Sequence, residues 1–121
     1  MKIIGIIAEY NPFHNGHAYQ IACAKERFGA DAVVVIMSGD FTQRGIPAIF
    51  SKESRAKMAL SCGADLVIEL PILASTASAE GFAFGAVRTL DSLGVVDELL
   101  FGCETDHIEL FYRAAALFGN E

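Results

Sequence analysis

A chain of 121 residues, 53% of them hydrophobic, is long enough to bury the core of one ordinary domain. Its composition excludes a disordered chain, and its net charge of −6 with a pI of about 4.9 excludes a polyanion-binding surface over the whole molecule. Three cysteines without a CxxC pair exclude a zinc framework or a paired disulfide scaffold, so buried free thiols are expected.

The stretch "KIIGIIA" (2–8) predicts a first strand, apolar on both faces as a central parallel strand is. "AYQIACAKERF" (18–28) carries Ile21, Ala22, Ala24 and Phe28 at helical spacing and runs into Gly29, a natural C-cap. "AVVVIM" (32–37) predicts a buried second strand, followed by the turn-rich "SGDFTQRGIP" (38–47). "SKESRAKMALSCG" (51–63) predicts a helix capped by Ser51, with Ser54 where a full capping box has Glu or Gln. "ADLVIELP" (64–71) predicts a third strand stopped by Pro71, and "ASAEGFAFGAVRTLDSLG" (77–94) a helix ended by Gly94. "ELLFG" (98–102) predicts a fourth strand and "DHIELFYRAAALFG" (106–119) a last helix capped by Asp106.

Four alternations of strand and helix imply an α/β domain over residues 1–121, a parallel sheet with right-handed crossovers and helices packed on it. Ligands of such sheets sit outside the carboxyl ends of the strands, which puts the loops after Ala8, Met37, Glu69 and Phe101 on one rim. No signal-peptide pattern follows Met1-Lys2, and the longest apolar run, Ala32 to Met37, is too short to span a bilayer. The expected location is cytoplasmic, without a membrane partner. The high apolar fraction leaves room for an exposed patch and a homo-oligomer. Arg44, Lys52, Arg55 and Lys57 form the best local basic patch, against the plainer reading of a solvated helix face.

The chemistry-bearing stretch is "EYNPFHNGHAYQ" (9–20), between the first strand and the first helix. Pro12 stiffens the turn, and Gly16 removes a side chain where a ligand can approach the backbone. The first N–H groups of the helix favour a phosphate. His14 and His17 can donate to phosphate oxygens and, if protonated, stabilise charge developing at phosphorus. The competing readings are a structural turn, capping roles for Asn11 and Asn15, and a metal pair that lacks further ligands at fitting spacing. Spacing alone leaves a phosphate site and a plain turn evenly matched.

"HNGH" in this strand–loop–helix setting resembles the HxGH signature of the nucleotidylyltransferase superfamily. "AEYNPFHNGH", "MSGDFTQRGIPAI", "GADLVIELP" and "FGCE", in that order from Lys2 to about Glu104, are similar to successive blocks of the bacterial tRNA(Met) cytidine acetate ligase family. The resemblance implies a Rossmann-like, HxGH nucleotidylyltransferase-like fold with helices on both faces of the sheet. It also implies an ATP-dependent ligase in which acetate attacks the α-phosphate to give acetyl-adenylate and pyrophosphate. The acetyl group then passes to the wobble cytidine of elongator tRNA(Met), forming N4-acetylcytidine.

On this chain the resemblance assigns ATP to Ile7, Ala8, Glu9, Tyr10, Asn11, Pro12, Phe13, His14, Asn15, Gly16, His17, Ala18, Tyr19, Gln20 and Gly102. His14 and His17 take the catalytic phosphate role. Glu9 and Glu104 are candidates to hold Mg2+ through water, against loop capping; no protein metal ligand is assigned. Asp40, Gln43 and Arg44 are the candidate contacts for acetate or tRNA, with a surface salt bridge the plainer reading of Arg44. Cys103 stands where the family pattern more often has Ser. The family is several times longer than this chain, so the expectation is the N-terminal part of a longer enzyme. A small-molecule nucleotidylyltransferase and a nucleotide-binding module without activity are the alternatives.

Overall fold

The computed structural model describes residues 1–102; Cys103, Glu104 and the helix expected over 106–119 lie outside them. Four strands, β1 (Ile3–Ala8), β2 (Ala32–Met37), β3 (Leu66–Glu69) and β4 (Glu98–Leu100), form one sheet in the order β3-β2-β1-β4, with every pairing parallel. The third and fourth strands are shorter than "ADLVIELP" and "ELLFG" suggest. Pairing stops at Glu69 and Leu100, where no further neighbour aligns.

Helices α1 (Asn15–Glu26) and α2 (Lys52–Ser61) pack on one face, and α4 (Ala79–Leu93) on the other. The strand alternation separates two cores. Ile4, Ile6, Val33, Val35 and Met37 pack with Ile21, Ala24 and Ala59, whereas Val34 and Ile36 pack with Phe82, Ala86 and Leu90. Helix α4 approaches the central strand closely: a Cβ on Gly5 would lie 2.9 Å from Leu90 Cδ1 and 3.1 Å from Val96 Cγ1.

The first helix begins at Asn15, three residues before the apolar periodicity starts, because His14 serves as its N-cap. A one-turn helix α3 (Ile72–Ser75) follows Pro71; its four residues are too few to show a period. Gly94 ends α4 in the left-handed conformation, as expected, and Ser51 and Ser78 cap α2 and α4. The thiol expectation needs correction: Cys62 is exposed because it caps the C-terminal end of α2, and Cys23 is half-buried beside the buried Ile21 and Ala24 of α1.

Candidate functional site: the crevice between the first and fourth strands

The chain runs from β1 outward to β2 and β3, then crosses back to place β4 on the other side of β1. The carboxyl ends of β1 and β4 therefore flank the switch point of the sheet, where ligands of open α/β sheets bind. A crevice of about 480 Å³ opens there, lined by Ile7, Ala8, Glu9, Tyr10, Asn11, His17, Gln20, Phe101 and Gly102. That volume lies in the range of roughly 300–1,000 Å³ found for small-molecule sites. Gln20 Nε2 donates to the Leu100 carbonyl at 3.5 Å, linking α1 to β4 across the crevice floor.

The β1–α1 connection is built around its histidines. His14 Nδ1 accepts from the Gly16 N–H at 3.0 Å, and His17 Nδ1 accepts from the His14 N–H at 3.1 Å. This is a capping box with imidazoles in both positions. An imidazole nitrogen that accepts a backbone N–H carries no proton, so each neutral ring bears its proton on Nε2. The rings stack with centroids 3.7 Å apart, and Tyr10 and Phe13 meet His17 at 4.8 and 5.6 Å. Burial, and then the neighbouring His14, push the His17 pKa below its ordinary 6.5. His17 is thus neutral at pH 7, a donor without a charge.

Gly16 has a local reason to lack a side chain. A Cβ there would lie 2.9 Å from His14 Cε1 and 3.1 Å from its Nδ1, pressed against the capping ring. Tyr10 takes a left-handed φ of 52° and is buried; its hydroxyl has no hydrogen-bond partner among the described residues. Burial, with Cys62 nearby, pushes the Tyr10 phenol up to about 12, so it stays protonated.

The residues expected at the nucleotide divide between two hollows. Ile7 to Asn11, His17, Gln20 and Gly102 line the crevice. Phe13, His14, Asn15 and Ala18 line a neighbouring hollow of about 520 Å³ with Ser54, Lys57, Met58, Ser61 and Cys62. Pro12 and Gly16 are exposed and line neither. Tyr19 is also exposed, and its phenol pKa is raised first by its hydrogen bond with Cys23. Asn11 and Asn15 do not cap α1; Asn11 Oδ1 accepts from the Ile49 N–H at 2.8 Å and ties the second rim loop to the first.

That second loop carries the candidate acetate or tRNA contacts. Asp40 Oδ1 accepts from the Lys52 N–H at 3.0 Å, at the start of α2. Gln43 donates its backbone N–H to Glu9 Oε2 at 3.0 Å, and Ser38 Oγ donates to the same oxygen at 3.3 Å. Arg44 is exposed in a left-handed turn with φ of 62°, and no ion pair holds it among the described residues. Lys52 pairs instead with Glu69 at 3.0 Å, a solvent-screened pair that holds the Lys52 pKa above its ordinary value.

Arg55 departs most from expectation. It belongs to neither a basic patch nor a solvated face: it is 0% exposed, and burial lowers its pKa despite the surrounding Asp40, Glu9, Glu53 and Glu69. Helical spacing alone could have placed it: Arg55 stands four residues before Ala59 and shares its buried face of α2. A second signal existed in the turn-rich loop ahead of it, which leaves many carbonyls in need of donors. Among the described residues no cluster of three His, Cys, Asp or Glu side chains could hold a metal ion, and no helix is long and apolar enough to cross a membrane.

A family model described as HIGH Nucleotidyl Transferase matches residues 1–121. The chain belongs to that family. Within the HIGH nucleotidyl transferase family it is 61% identical over 121 residues to a tRNA(Met) cytidine acetate ligase of Acetivibrio thermocellus, covering all of this chain and 29% of that protein. It is 51% identical over 121 residues to the protein of the same name from Clostridium perfringens, covering 30% of it. The crystal structure of Thermotoga maritima TmcAL bound with alpha-thio ATP superposes with a TM-score of 0.91 at 48% identity, over 98% of this chain and 29% of that one. The fold is thus the expected Rossmann-like one. The chain spans under a third of the length of the relatives it matches.

Proposed function

We propose that the chain is the nucleotide-activating domain, the N-terminal part, of a tRNA(Met) cytidine acetate ligase. ATP lies in the crevice between β1 and β4 with its phosphates at the N-terminus of α1. The carboxylate oxygen of acetate attacks the α-phosphorus, the bond to the β-phosphate oxygen breaks, and pyrophosphate leaves. The acetyl-adenylate then gives its acetyl group to the exocyclic amine of the wobble cytidine in elongator tRNA(Met), releasing AMP and a proton. The relatives' names and the nucleotide bound to the Thermotoga maritima protein support this reading.

The observation that carries it is the stacked histidine pair at the head of α1, with His17 facing the crevice and its pKa lowered by burial. Donors fixed before the reaction stabilise charge growing on phosphate oxygens without reorganising. Both Nδ1 atoms are committed to the helix cap, so the Nε2–H groups remain for phosphate. Mg2+ belongs to the same proposal. Glu9 is the one carboxylate among the described crevice residues, and its Oε1 is not used by Ser38 or Gln43. One carboxylate plus phosphate oxygens suits Mg2+, which would lend positive charge to the leaving pyrophosphate. Asp40, Gln43 and Arg44 bring the second rim loop to acetate or tRNA, with Arg44, which no ion pair holds among the described residues, as the anion contact. A cytoplasmic location and a homo-oligomer through the exposed Leu73 and Phe84 complete the proposal.

The test is incubation with labelled ATP and acetate, with and without tRNA(Met), followed by separation of AMP and pyrophosphate; size exclusion of the same sample reads the oligomer. Acetate-dependent pyrophosphate release is expected. ATP binding without it would leave a nucleotide-binding module, and AMP transfer to a phosphorylated small molecule would sink the ligase reading.

A further inference from the structure

Arg55 sits beneath the rim with four hydrogen bonds, all to backbone carbonyls. Nη1 donates to Glu9 O at 2.6 Å and to Ser38 O at 3.0 Å, Nη2 donates to Gly39 O, and Nε donates to Phe50 O at 3.0 Å. These carbonyls come from the loop after β1, the loop after β2 and the approach to α2. No carboxylate pairs with it among the described residues; Asp40, Glu9, Glu53 and Glu69 balance its charge from a distance. A buried guanidinium is tolerated only when its donors are met, and its fork makes four donations from three separated nitrogens where an ammonium has three donors at one point.

The gripped Glu9 carbonyl lies at the pivot of the site. The next residue, Tyr10, turns left-handed, and its ring packs edge-on against Phe13 at 4.7 Å and His17 at 4.8 Å. The Glu9 carboxylate meanwhile receives Ser38 Oγ and the Gln43 N–H. A shift of the Glu9–Tyr10 peptide would therefore move both the acidic wall of the crevice and the aromatic bed of His17.

We propose that Arg55 is the positioning residue of the nucleotide crevice, fixing the Glu9–Tyr10 peptide and, through the Tyr10 ring, the histidine pair that meets the phosphates. This rests on the reading of the crevice as an ATP site. Arg55 touches no substrate; it acts through the backbone.

The experiment compares Arg55→Lys with Leu90→Ala, a core truncation on the opposite sheet face, in affinity for ATP and adenosine, thermal midpoint and imidazole nitrogen spectra. Arg55→Lys is expected to weaken ATP binding by about tenfold or more, the scale of a small misplacement at a site, and adenosine binding far less. It should also blur the Nε2–H tautomer pattern of both histidines, whereas Leu90→Ala should lower the midpoint and leave affinity and tautomers intact. Equal losses of ATP affinity in the two variants, or an unchanged tautomer pattern in Arg55→Lys, would overturn the proposal. If Arg55→Lys does not fold, the wild-type Arg55 Nε–H signal decides: it should shift on ATP addition, and a static signal counts against the role. Should the wild type bind no ATP, the nucleotide reading fails, and the tautomer comparison alone still decides the positioning role.

Discussion

His14 and His17 each do two things with one ring. Nδ1 closes the head of α1, and Nε2–H is left for a ligand. That explains the spacing: i and i+3 are the two positions of a capping box, so the tetrapeptide is at once a helix start and a donor pair. The pH dependence follows from His17. Its folded pKa lies below the unfolded 6.5, so between those values the unfolded chain holds the extra proton. The stability it confers is complete above 6.5 and is lost as pH falls through the folded value. His17→Gln keeps a capping acceptor at the same position, so stability at pH 7.5 should stay within about 1 kcal/mol of wild type. The fall in thermal midpoint between pH 7 and pH 5 should shrink, and pyrophosphate release should drop by about 100-fold. Identical pH slopes in the two proteins would show that the cap does not titrate. The histidines and Gly16 were legible in the sequence because they stand in a polar run between apolar segments. Arg55 was legible only in part: its helix face and the carbonyl-rich loop ahead of it gave a signal, but which carbonyls a guanidinium meets is not written in any local pattern.

At the scale of elements, the amino ends of the strands, opposite the crevice, are held by three aspartates. Asp31, Asp65 and Asp97 each donate a backbone N–H to a carbonyl at the start of a neighbouring strand and accept the same residue's N–H on Oδ2: Lys2, Val33 and Ile3 respectively. The repeat Gly29-Ala30-Asp31 and Gly63-Ala64-Asp65 marks two of these turns. Those clamps set where β2, β3 and β4 enter the sheet and thereby the register that brings their far ends to the rim. The Val33 N–H and Lys25 hold the Asp65 carboxyl below its ordinary range. Asp65→Ala should cost about 1 kcal/mol in urea unfolding, the scale of one hydrogen bond, and leave ATP affinity unchanged. An equal loss of ATP affinity would mean the two ends of the strands are not independent. Strands β1 and β2 were readable nearly to the residue because they are short apolar runs rich in Ile and Val. The start of α1 was not, since its first turn is polar and its cap is an imidazole rather than Ser, Thr, Asp or Asn.

For the molecule as a whole, the order β3-β2-β1-β4 brings two stretches 80 residues apart, Gln20 and Leu100, to one crevice. Strand and helix alternation placed four loops on a common rim. Only the family resemblance, by joining residues 7–20 to Gly102, singled out the first and fourth, because strand order is set by crossover packing rather than by any local pattern. The exposed apolar side chains of α3 and α4 belong to this scale too: Ile72, Leu73 and Phe84 lie away from the crevice and so do not compete for the nucleotide. Amide shift changes during an ATP titration of the labelled chain show whether ATP phosphates settle at the head of α1 between β1 and β4. The largest changes are expected at Ala8, Glu9, His17, Gln20 and Gly102; largest changes around Val87, Asp91 and Glu98, or none at millimolar ATP, would mean the nucleotide does not sit there.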